Sequence, residues 1–431
     1  MNKIQAVRGM NDVLPKDADT WLWFEAVVED WLAHYGYRNI RMPLVEDSQL
    51  FRRAIGEATD IVEKEMYSWR DELNQENLTL RPEGTASCVR AAIEHSLLHD
   101  GPARVWYAGP MYRHERPQKG RYRQFHQYGG EALGYAGPDV DAEHIVMCSA
   151  LWQRLGLHGI RLELNNIGSA EERARYRSAL VKHLERNLSS LDEDAKRRMN
   201  TNPLRSLDSK HPMMKPVIAS APSLMEFLGE ASLKHFDGLK RALDSQQVKY
   251  TLNPRLVRGL DYYNLTVFEW ISDELGSQGT VCGGGRYDGL FEQLGGKPTP
   301  ATGFAMGNER LIALIEAAGT PRRALSPQVY VVCRGEGTFE YGLGIAEVLR
   351  KAGYRVLQHA GETSFKSQMS KANASGAACA LIIGEDELRA NTVTMKMLRE
   401  DVAQTSLGRQ DVLLAVRNAV PIERQGAWLS T

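Results

Sequence analysis

Residues 105–134 read VWYAGPMYR, HERPQKGRYR and QFHQYGGEALG in succession, two strand-prone runs on either side of a polar loop. This arrangement predicts a β-hairpin with a long turn. Between 104 and 123 a single acid, Glu115, stands against six basic residues: Arg104, Arg113, Arg116, Lys119, Arg121 and Arg123. Composition alone is equally typical of a solvated charged turn. We favour a hairpin that binds a nucleoside triphosphate and an RNA end, because guanidinium forks bind phosphates and the interleaved Tyr112, Tyr122 and Phe125 can stack on bases.

Length and composition limit the class of protein. A chain of 431 residues, 43% hydrophobic and 25% charged, is typical of a globular protein with two or three domains. The formal net charge of −1 means that any RNA contact must come from local basic clusters. The five scattered cysteines form no CxxC pair, which argues against a disulfide framework or a zinc site. Without a secretory signal or a long apolar stretch, we expect a cytoplasmic protein that binds neither membrane nor DNA.

Hydrophobic periodicity places the remaining elements before residue 320. Residues 17–36 predict an amphipathic helix ending at Gly36, followed by a strand-like run over 37–45 that Pro43 interrupts. The stretch 170–247 is helical and is typical of an insertion, with Tyr176 to Leu191 marking one helix and Leu224 to Leu243 another. Further helices are predicted over 141–156 and 307–317, and strands over 160–166, 249–252, 262–271 and 279–283.

The sequence pattern changes after PRRALSP (321–327), which is typical of a linker. Strands and helices then alternate, which predicts a small α/β domain with a largely parallel sheet. The predicted strands are 329–333, 354–359, 378–384 and 393–398, and the predicted helices are 338–352 and 364–375.

Four further motifs carry polar groups suited to a ligand. RPEGT (81–85) presents Glu83 between a proline and a glycine, although alone it is an ordinary turn. Gln127 and Glu131 are four apart in a strand and therefore share a face. RLVRGLDYYN (255–264) places Arg258 beside a glycine, which alone is a turn entering a strand. CGGGRYDGL (282–290) has three successive glycines, which indicate a close backbone approach.

A fifth candidate is Arg310, which lies in an apolar helix. A buried guanidinium needs either an internal carboxylate or a ligand phosphate, so a structural salt bridge is the alternative. The chain has no GxxxxGK[ST] loop and no GxGxxG fingerprint. A nucleotide site must therefore use another architecture.

Taken in order, these motifs resemble those of the class II aminoacyl-tRNA synthetases, and within them the histidyl-tRNA synthetases. The helix 17–36 with Pro43 resembles motif 1, Tyr112 to Phe125 motif 2, and Gly303 to Arg310 motif 3. LVRGLDYYN and GGGRYDGL resemble the two histidine-specific signatures. The resemblance implies an α/β fold: a six-stranded antiparallel sheet with flanking helices in a catalytic domain 1–326, a helical insertion over about 170–248, and an α/β anticodon-binding domain 327–431. It also implies a homodimer formed through motif 1.

The same resemblance implies an ATP-dependent ligase that forms histidyl-adenylate and passes histidine to a transfer RNA. Arg113 would contact the α-phosphate, Arg310 the γ-phosphate, and Arg121 the β- and γ-phosphates. Mg²⁺ would bridge the phosphates, and no residue of the protein is assigned as a metal ligand. Phe125 would stack on adenine, and Glu115 would bind its amino group. The implied histidine-binding residues are Glu83, Thr85, Gln127, Glu131, Arg258, Tyr262, Tyr263 and Tyr287. Arg113 and Arg258 would be catalytic, and Arg116 and Gln118 would contact the tRNA acceptor end.

Two alternatives remain open at this point. A regulatory paralogue that senses histidine would lack the C-terminal domain and the catalytic arginines, which this chain has. A purely RNA-binding or scaffold protein would use the basic hairpin but have no need for Glu83, Glu131 or Arg310. ATP–pyrophosphate exchange distinguishes both alternatives from the ligase.

Overall fold

The computed structural model describes residues 3–57, 59–118, 120–200, 203–209, 211–319 and 326–422. Lys119 and most of the predicted linker, 321–325, lie outside the described residues. The chain divides into two compact units, Met1–Thr320 and Pro321–Thr431. Over the described ranges, no helix has the length and apolar character needed to cross a membrane.

The N-terminal unit is built on one large sheet. Its strands, with those of a small sheet, are β1 (Arg38–Asn39), β2 (Val45–Asp47), β3 (Tyr67–Arg70), β4 (Asn77–Leu80), β5 (Ala103–Tyr112), β6 (Gln124–Leu133), β7 (Ile160–Asn166), β8 (Thr251–Leu252), β9 (Asn264–Ser272), β10 (Thr280–Arg286) and β11 (Ala301–Gly307). The large sheet has the order β1-β5-β6-β11-β10-β9-β7-β8, and β2-β4-β3 form the small one. The six strands from β5 to β7 are antiparallel, as predicted.

Two details of the large sheet differ from the prediction. The short edge strands β1 and β8 pair in parallel with β5 and β7, so the complete sheet is mixed. The strand-like run predicted over 37–45, with an interruption at Pro43, is paired only at Arg38–Asn39, and the next strand begins at Val45. Pro43 lies between them, and its lack of an N–H donor explains the interruption.

Helices cover the large sheet and supply much of the core. They are α1 (Pro15–His34), α2 (Ser48–Ile55), α3 (Thr85–Glu94), α4 (Pro138–Arg154), α5 (Ala170–Arg186), α6 (Glu193–Arg198), α7 (Met214–Ala219), α8 (Glu230–Ser245), α9 (Leu290–Gln293) and α10 (Asn308–Ala318). Helix α1 begins with a proline in its first turn, where the missing N–H costs nothing, and ends just before Gly36, whose φ is +76°. Its buried face includes Phe24, Val28 and Trp31.

The described residues between β7 and β8 are mostly helical, as the sequence predicts. Helix α5 begins with a capping box in which Ser169 and Glu172 exchange side-chain and backbone hydrogen bonds. The predicted single helix over Leu224–Leu243 is wrong, because a 3-10 turn, Leu224–Phe227, precedes α8. Gly229, which has extended backbone at the N-cap of α8, separates the two.

The C-terminal unit is an α/β layer structure. Its elements are β12 (Val329–Cys333), α11 (Thr338–Lys351), β13 (Val356–Gln358), α12 (Phe365–Ala374), β14 (Cys379–Ile383), α13 (Glu385–Ala390), β15 (Thr392–Met397), β16 (Thr405–Gly408) and α14 (Val412–Ala419). The order is β13-β12-β14-β15-β16. The first three strands are parallel and the last two antiparallel, so the sheet is mixed rather than largely parallel.

A buried ion-pair network ties β10 to two helices. Arg286 and Asp141 are both fully buried, with Arg286 Nη2 2.8 Å from Asp141 Oδ1. His235 Nε2, on α8, lies 2.8 Å from Asp141 Oδ2. Although burial opposes ionisation, the bonds from His235 and Arg286 hold the pKa of Asp141 down at about 2. Removal of one partner from such a pair leaves a buried charge uncompensated.

We therefore expect Arg286→Ala to lower the free energy of unfolding by about 3–5 kcal/mol in urea denaturation. Arg161→Ala is the matched control, because Arg161 makes its ion pair with Glu163 at an exposed site and should cost less than about 1 kcal/mol. Equal losses in the two variants would contradict the role assigned to the buried network.

Candidate active site

The predicted hairpin is confirmed as strands β5 and β6. They pair from Ala103 with Leu133 to Tyr112 with Gln124. In the connecting loop, Gln118 and Arg121 exchange backbone hydrogen bonds of 3.0 and 2.9 Å. The side chains of Arg116 and Gln118 are exposed on this loop. The loop thus presents both of these predicted RNA contacts to solvent.

An open cleft with about 720 Å³ of empty space lies over the hairpin, β10, β11 and the start of α10. The structure brings all five predicted ATP-binding residues to its wall, together with Gln127 and Arg258. Those five are Arg113, Glu115, Arg121, Phe125 and Arg310. Side chains that are far apart in the chain therefore converge on one cleft.

The cleft is electrostatically suited to an anion. Burial, followed by repulsion from Arg121 and Arg113, lowers the pKa of Arg310. Burial also lowers the pKa of Arg113, although Glu65 and Glu83 partly oppose the shift. Arg310 Nε donates to the Gly120 carbonyl oxygen at 2.9 Å, which links α10 to the hairpin loop. An anionic ligand would relieve the repulsion among these guanidinium groups.

Two of the predicted adenine contacts also interact within the protein. The Arg113 guanidinium lies 5.3 Å from the centre of the Phe125 ring, within cation–π range. Glu115 forms an ion pair with Arg121. These contacts fix the aromatic ring and the carboxylate at the cleft wall.

A buried carboxylate, Glu131, lies beside the cleft on β6. Its Oε1 accepts hydrogen bonds from Thr85 Oγ1 at 2.7 Å and from the Tyr107 hydroxyl at 3.0 Å. Its Oε2 accepts one from the Tyr287 hydroxyl at 2.5 Å. Burial raises the pKa of Glu131 to about 8, although the three hydroxyl groups oppose that shift. The group is poised to exchange a proton or hydrogen bond with a polar ligand.

A second buried carboxylate, Glu83, lies at the start of α3. It is 4% exposed, so RPEGT is not an ordinary turn that carries its glutamate on the surface. Its oxygens accept from the backbone N–H groups of Thr85 at 2.7 Å and Ala86 at 2.9 Å. Burial raises its pKa, and these helix-terminal bonds, together with Arg113, oppose the shift. The site therefore contains two carboxylates with different surroundings.

Three tyrosines form one wall beside these carboxylates. The ring centres of Tyr262 and Tyr263 are 4.7 Å apart, and those of Tyr262 and Tyr287 are 5.6 Å apart. All three side chains are buried. The Tyr262 hydroxyl lies 3.5 Å from Glu83 Oε2, which connects this wall to the second carboxylate. LVRGLDYYN and GGGRYDGL thus meet at one place.

Arg258 lies where the cleft meets the tyrosine wall. Its guanidinium pairs with Glu269 on β9, and Glu269 accepts a bond of 2.9 Å from Thr280 Oγ1. A Cβ on Gly283 would lie 2.8 Å from the carbon of that guanidinium, so any larger residue there would displace the Arg258 side chain. The close backbone approach predicted for this motif is thus made by Arg258. Burial acts to lower the pKa of Arg258, but the Glu269 carboxylate outweighs it and the pKa is raised.

Sequence reasoning missed three residues of the site. Tyr107 is a buried strand residue that bonds Glu131, and Glu269 and Thr280 hold Arg258. Glu269 gave the clearest signal, since it is a carboxylate within the apolar strand VFEW (267–270). Among the described residues, no group of three or more His, Cys, Asp or Glu is arranged to hold a metal ion.

Comparisons with known proteins show which family this chain is similar to. The family model described as histidyl-tRNA synthetase matches residues 9–311, and one described as anticodon binding domain matches 328–418. A histidine–tRNA ligase of Aromatoleum aromaticum is 58% identical over 98% of this chain and 96% of its own length. One of Dechloromonas aromatica is 60% identical over 96% of both chains.

A solved structure extends this similarity to the fold. The crystal structure of apo histidyl-tRNA synthetase from S. aureus matches with a TM-score of 0.81 and 33% identity. The match covers 96% of this chain and 99% of that one. The chain therefore belongs to the histidyl-tRNA synthetase family.

Proposed function

We propose that this chain activates histidine with ATP, forming histidyl-adenylate and pyrophosphate, and then transfers histidine to its transfer RNA. The observation that carries the proposal is that two buried carboxylates, Glu83 and Glu131, adjoin a cleft lined by guanidinium groups. A cationic amino acid and a polyphosphate would thus lie side by side. A protein that only binds RNA has no use for the buried carboxylates.

In this proposal the cleft binds ATP. Arg113 contacts the α-phosphate, Arg121 the β- and γ-phosphates, and Arg310 the γ-phosphate. Phe125 stacks on adenine, and Glu115 binds its amino group. The support is that all five side chains line the cleft and that burial, followed by repulsion from Arg121 and Arg113, lowers the pKa of Arg310.

Histidine would bind between the carboxylates. Glu83, assisted by Thr85 and Gln127, holds the ammonium group, while Glu131 and Tyr263 bind the two imidazole nitrogens. The wall of Tyr262 and Tyr287 closes the pocket. The inclusion of Gln127 among the histidine-binding residues is supported by its Oε1 atom. This atom is buried and makes no hydrogen bond within the described part of the chain. A wrong side chain would leave such buried groups unpaired, which permits discrimination of about 10⁴-fold.

Chemistry at this site needs no covalent nucleophile from the protein. The histidine carboxylate is already anionic, so it can attack the α-phosphorus without a general base, and pyrophosphate departs with the electron pair of the broken bond. Arg258 lies between the carboxylate and the α-phosphate, and with Arg113 it neutralises charge that develops there. Positioning of the two substrates supplies much of the remaining rate enhancement.

Magnesium would be held mainly by ATP in this scheme. Two carboxylates near the phosphate-binding arginines are already paired with cationic side chains, Glu115 with Arg121 and Glu269 with Arg258. Mg²⁺ typically keeps several waters and binds substrate phosphates with few protein ligands. When bound, the ion would neutralise phosphate charge that the arginines do not reach.

The transfer RNA would contact both units of the chain. Arg116 and Gln118, exposed on the hairpin loop, would bind the acceptor end, and residues 327–431 would bind the anticodon region. The catalytic domain would then comprise 1–326, with the insertion over about 170–248. The two units and the two matched family models support this division.

We also propose a homodimer that works in the cytoplasm. Leu22 on α1 and Leu44 and Val45 after Pro43 are apolar and 39–45% exposed, which suits a surface that a second copy covers. All five cysteines are free thiols, which suits a reducing compartment.

The test of the proposed function is ATP–pyrophosphate exchange measured separately with each amino acid. Exchange should depend on histidine and should be weaker by about 10⁴-fold with other amino acids. Charging of the cognate tRNA should follow. Histidine binding without exchange would instead favour a regulatory paralogue, and salt-dependent tRNA binding without exchange would favour a pure RNA-binding protein.

Glu131 should make stability depend on pH in a specific direction. Its pKa is about 8 in the folded protein against an ordinary value of 4.5. The folded state therefore binds this proton more tightly, and the contribution to the free energy of unfolding falls as pH rises between those two values. We expect the unmodified protein to lose at least about 1 kcal/mol relative to Glu131→Gln between pH 5 and pH 8. Parallel pH profiles of the two proteins would contradict the shift.

A further inference from the structure

The segment before α1 is attached to the loop that joins β5 to β6. Its residues Val7–Met10 form a turn, closed by a hydrogen bond of 2.9 Å from the N–H of the last residue to the carbonyl oxygen of the first. Gly9, the third residue of this turn, has a φ of +86°, which residues with a side chain rarely adopt. Its carbonyl oxygen accepts hydrogen bonds from the backbone N–H groups of Arg123 at 2.8 Å and Gln124 at 3.2 Å. The turn is therefore bound where the loop enters β6.

Side chains of the hairpin loop pack around this turn. Arg123 Nη1 donates to the carbonyl oxygen of Arg8 at 3.4 Å, and Arg123 Nε donates to that of Glu115 at 3.1 Å. A Cβ on Gly9 would lie 2.8 Å from Pro117 Cγ and 3.0 Å from Arg123 Cγ. A side chain at this position would therefore displace the proline ring. The turn thus contacts the loop on both its outgoing and its returning side.

A separate set of contacts fixes the side of the loop that borders the ATP cleft. Arg310 Nε donates to the Gly120 carbonyl oxygen at 2.9 Å, and Glu115 forms an ion pair with Arg121. None of the described residues that line the cleft comes from the Val7–Met10 turn. A change in the turn should therefore disturb the ATP-binding residues little.

The turn instead adjoins the part of the loop that would meet RNA. Pro117 lies between Arg116 and Gln118, the two exposed residues proposed to contact the acceptor end. A proline has a fixed φ and also restricts the residue before it, so the place of its ring determines the direction of its neighbours. The contact between Gly9 and Pro117 is therefore placed to orient both RNA contacts.

We propose that the Val7–Met10 turn is a positioning element for the transfer step, which holds the hairpin loop in the orientation that receives the acceptor end of the transfer RNA. The inference rests on the proposed function, because that function assigns the loop residues to RNA. The turn acts through Pro117 and Arg123 rather than by touching a reacting atom. Its disturbance should weaken the use of tRNA and leave histidyl-adenylate formation intact.

Gly9→Ala tests this contact, since its methyl group would displace the Pro117 ring. Gly295→Ala is the matched control, because Gly295 has the same φ of +86° but no described atom outside its chain neighbours lies within 4 Å of a Cβ there. Both variants thus carry similar backbone strain. The KM for tRNA should rise by about tenfold or more in Gly9→Ala and by less than about twofold in Gly295→Ala. Histidine-dependent exchange should stay within about threefold in both.

A second substitution shows whether the effect passes through the proline ring. Pro117→Ala removes the Cγ atom that the new methyl group would meet. In this background, Gly9→Ala should raise the KM for tRNA by no more than about threefold, because residues in contact have non-additive effects. Thermal unfolding of the single and double variants separates loss of folding from loss of loop orientation.

Equal effects of Gly9→Ala in the two backgrounds would overturn the proposal, and so would equal KM values for tRNA in Gly9→Ala and Gly295→Ala. A parallel loss of exchange and aminoacylation in Gly9→Ala would overturn it as well, since the turn would then serve the cleft or the fold. Absence of exchange in the unmodified protein is a different result, because it contradicts the proposed function itself.

Discussion

Arg258→Ala should reduce the turnover of histidine-dependent ATP–pyrophosphate exchange by about 10³-fold while histidine binding survives in part. Arg258 is the cation at the junction of the cleft and the tyrosine wall. Its removal takes away charge neutralisation at the α-phosphorus. It also leaves the Glu269 carboxylate facing the phosphates without its partner, which adds repulsion.

Two variants make this prediction specific. Arg255→Ala changes an exposed arginine three residues upstream and should leave exchange within about twofold. Arg258→Lys keeps the charge but loses the planar fork, so an intermediate rate is expected. Normal exchange by Arg258→Ala would refute the assigned role.

Gly303→Ala should raise the KM for histidine by about 100-fold or more, with a smaller effect on the KM for ATP. A Cβ at position 303 would lie 1.6 Å from Glu131 Oε2, which is impossible without movement of that carboxylate. Glu131 has little freedom to move, since hydroxyl groups of Thr85, Tyr107 and Tyr287 bind it. The displaced Glu131 carboxylate would no longer bind the imidazole of histidine.

The control for this prediction is Gly289→Ala. The atom nearest to a Cβ there is Gln293 Nε2, at 4.0 Å, so no movement is required. Thermal unfolding of both variants separates loss of folding from loss of the pocket. An unchanged KM for histidine in folded Gly303→Ala would show that Glu131 does not bind the substrate.

Periodicity was sufficient to predict the hairpin and the helical insertion of the N-terminal unit, whereas its antiparallel sheet was implied by the resemblance to the synthetases. The hairpin follows from two strand-prone runs around a basic loop, and the insertion follows from a long helical stretch between strands. The edge strands of the large sheet were less predictable from the sequence. A two-residue strand such as β1 exists because its neighbour β5 offers free hydrogen-bonding groups, and a short sequence has no signal for that.

The residues of the candidate site likewise include some that the sequence could single out and some that it could not. Residues with distinctive local motifs, such as Glu83 and Arg258, could be singled out from the sequence. Tyr107 could not, because a tyrosine in a strand is typical of any core. Its role depends on Gly129, where a Cβ would lie 2.2 Å from the Tyr107 ring, and on pairing of β5 with β6. Such a contact is a property of strand register, which local sequence does not specify.

A crystal structure of the full chain bound to histidine and a non-hydrolysable ATP analogue is the most direct measurement. We expect the ammonium group at Glu83, the imidazole at Glu131 and the triphosphate between Arg113 and Arg310, with Arg258 touching both ligands. Histidine bound in any other cavity, or the two ligands held apart from Arg258, would contradict the account.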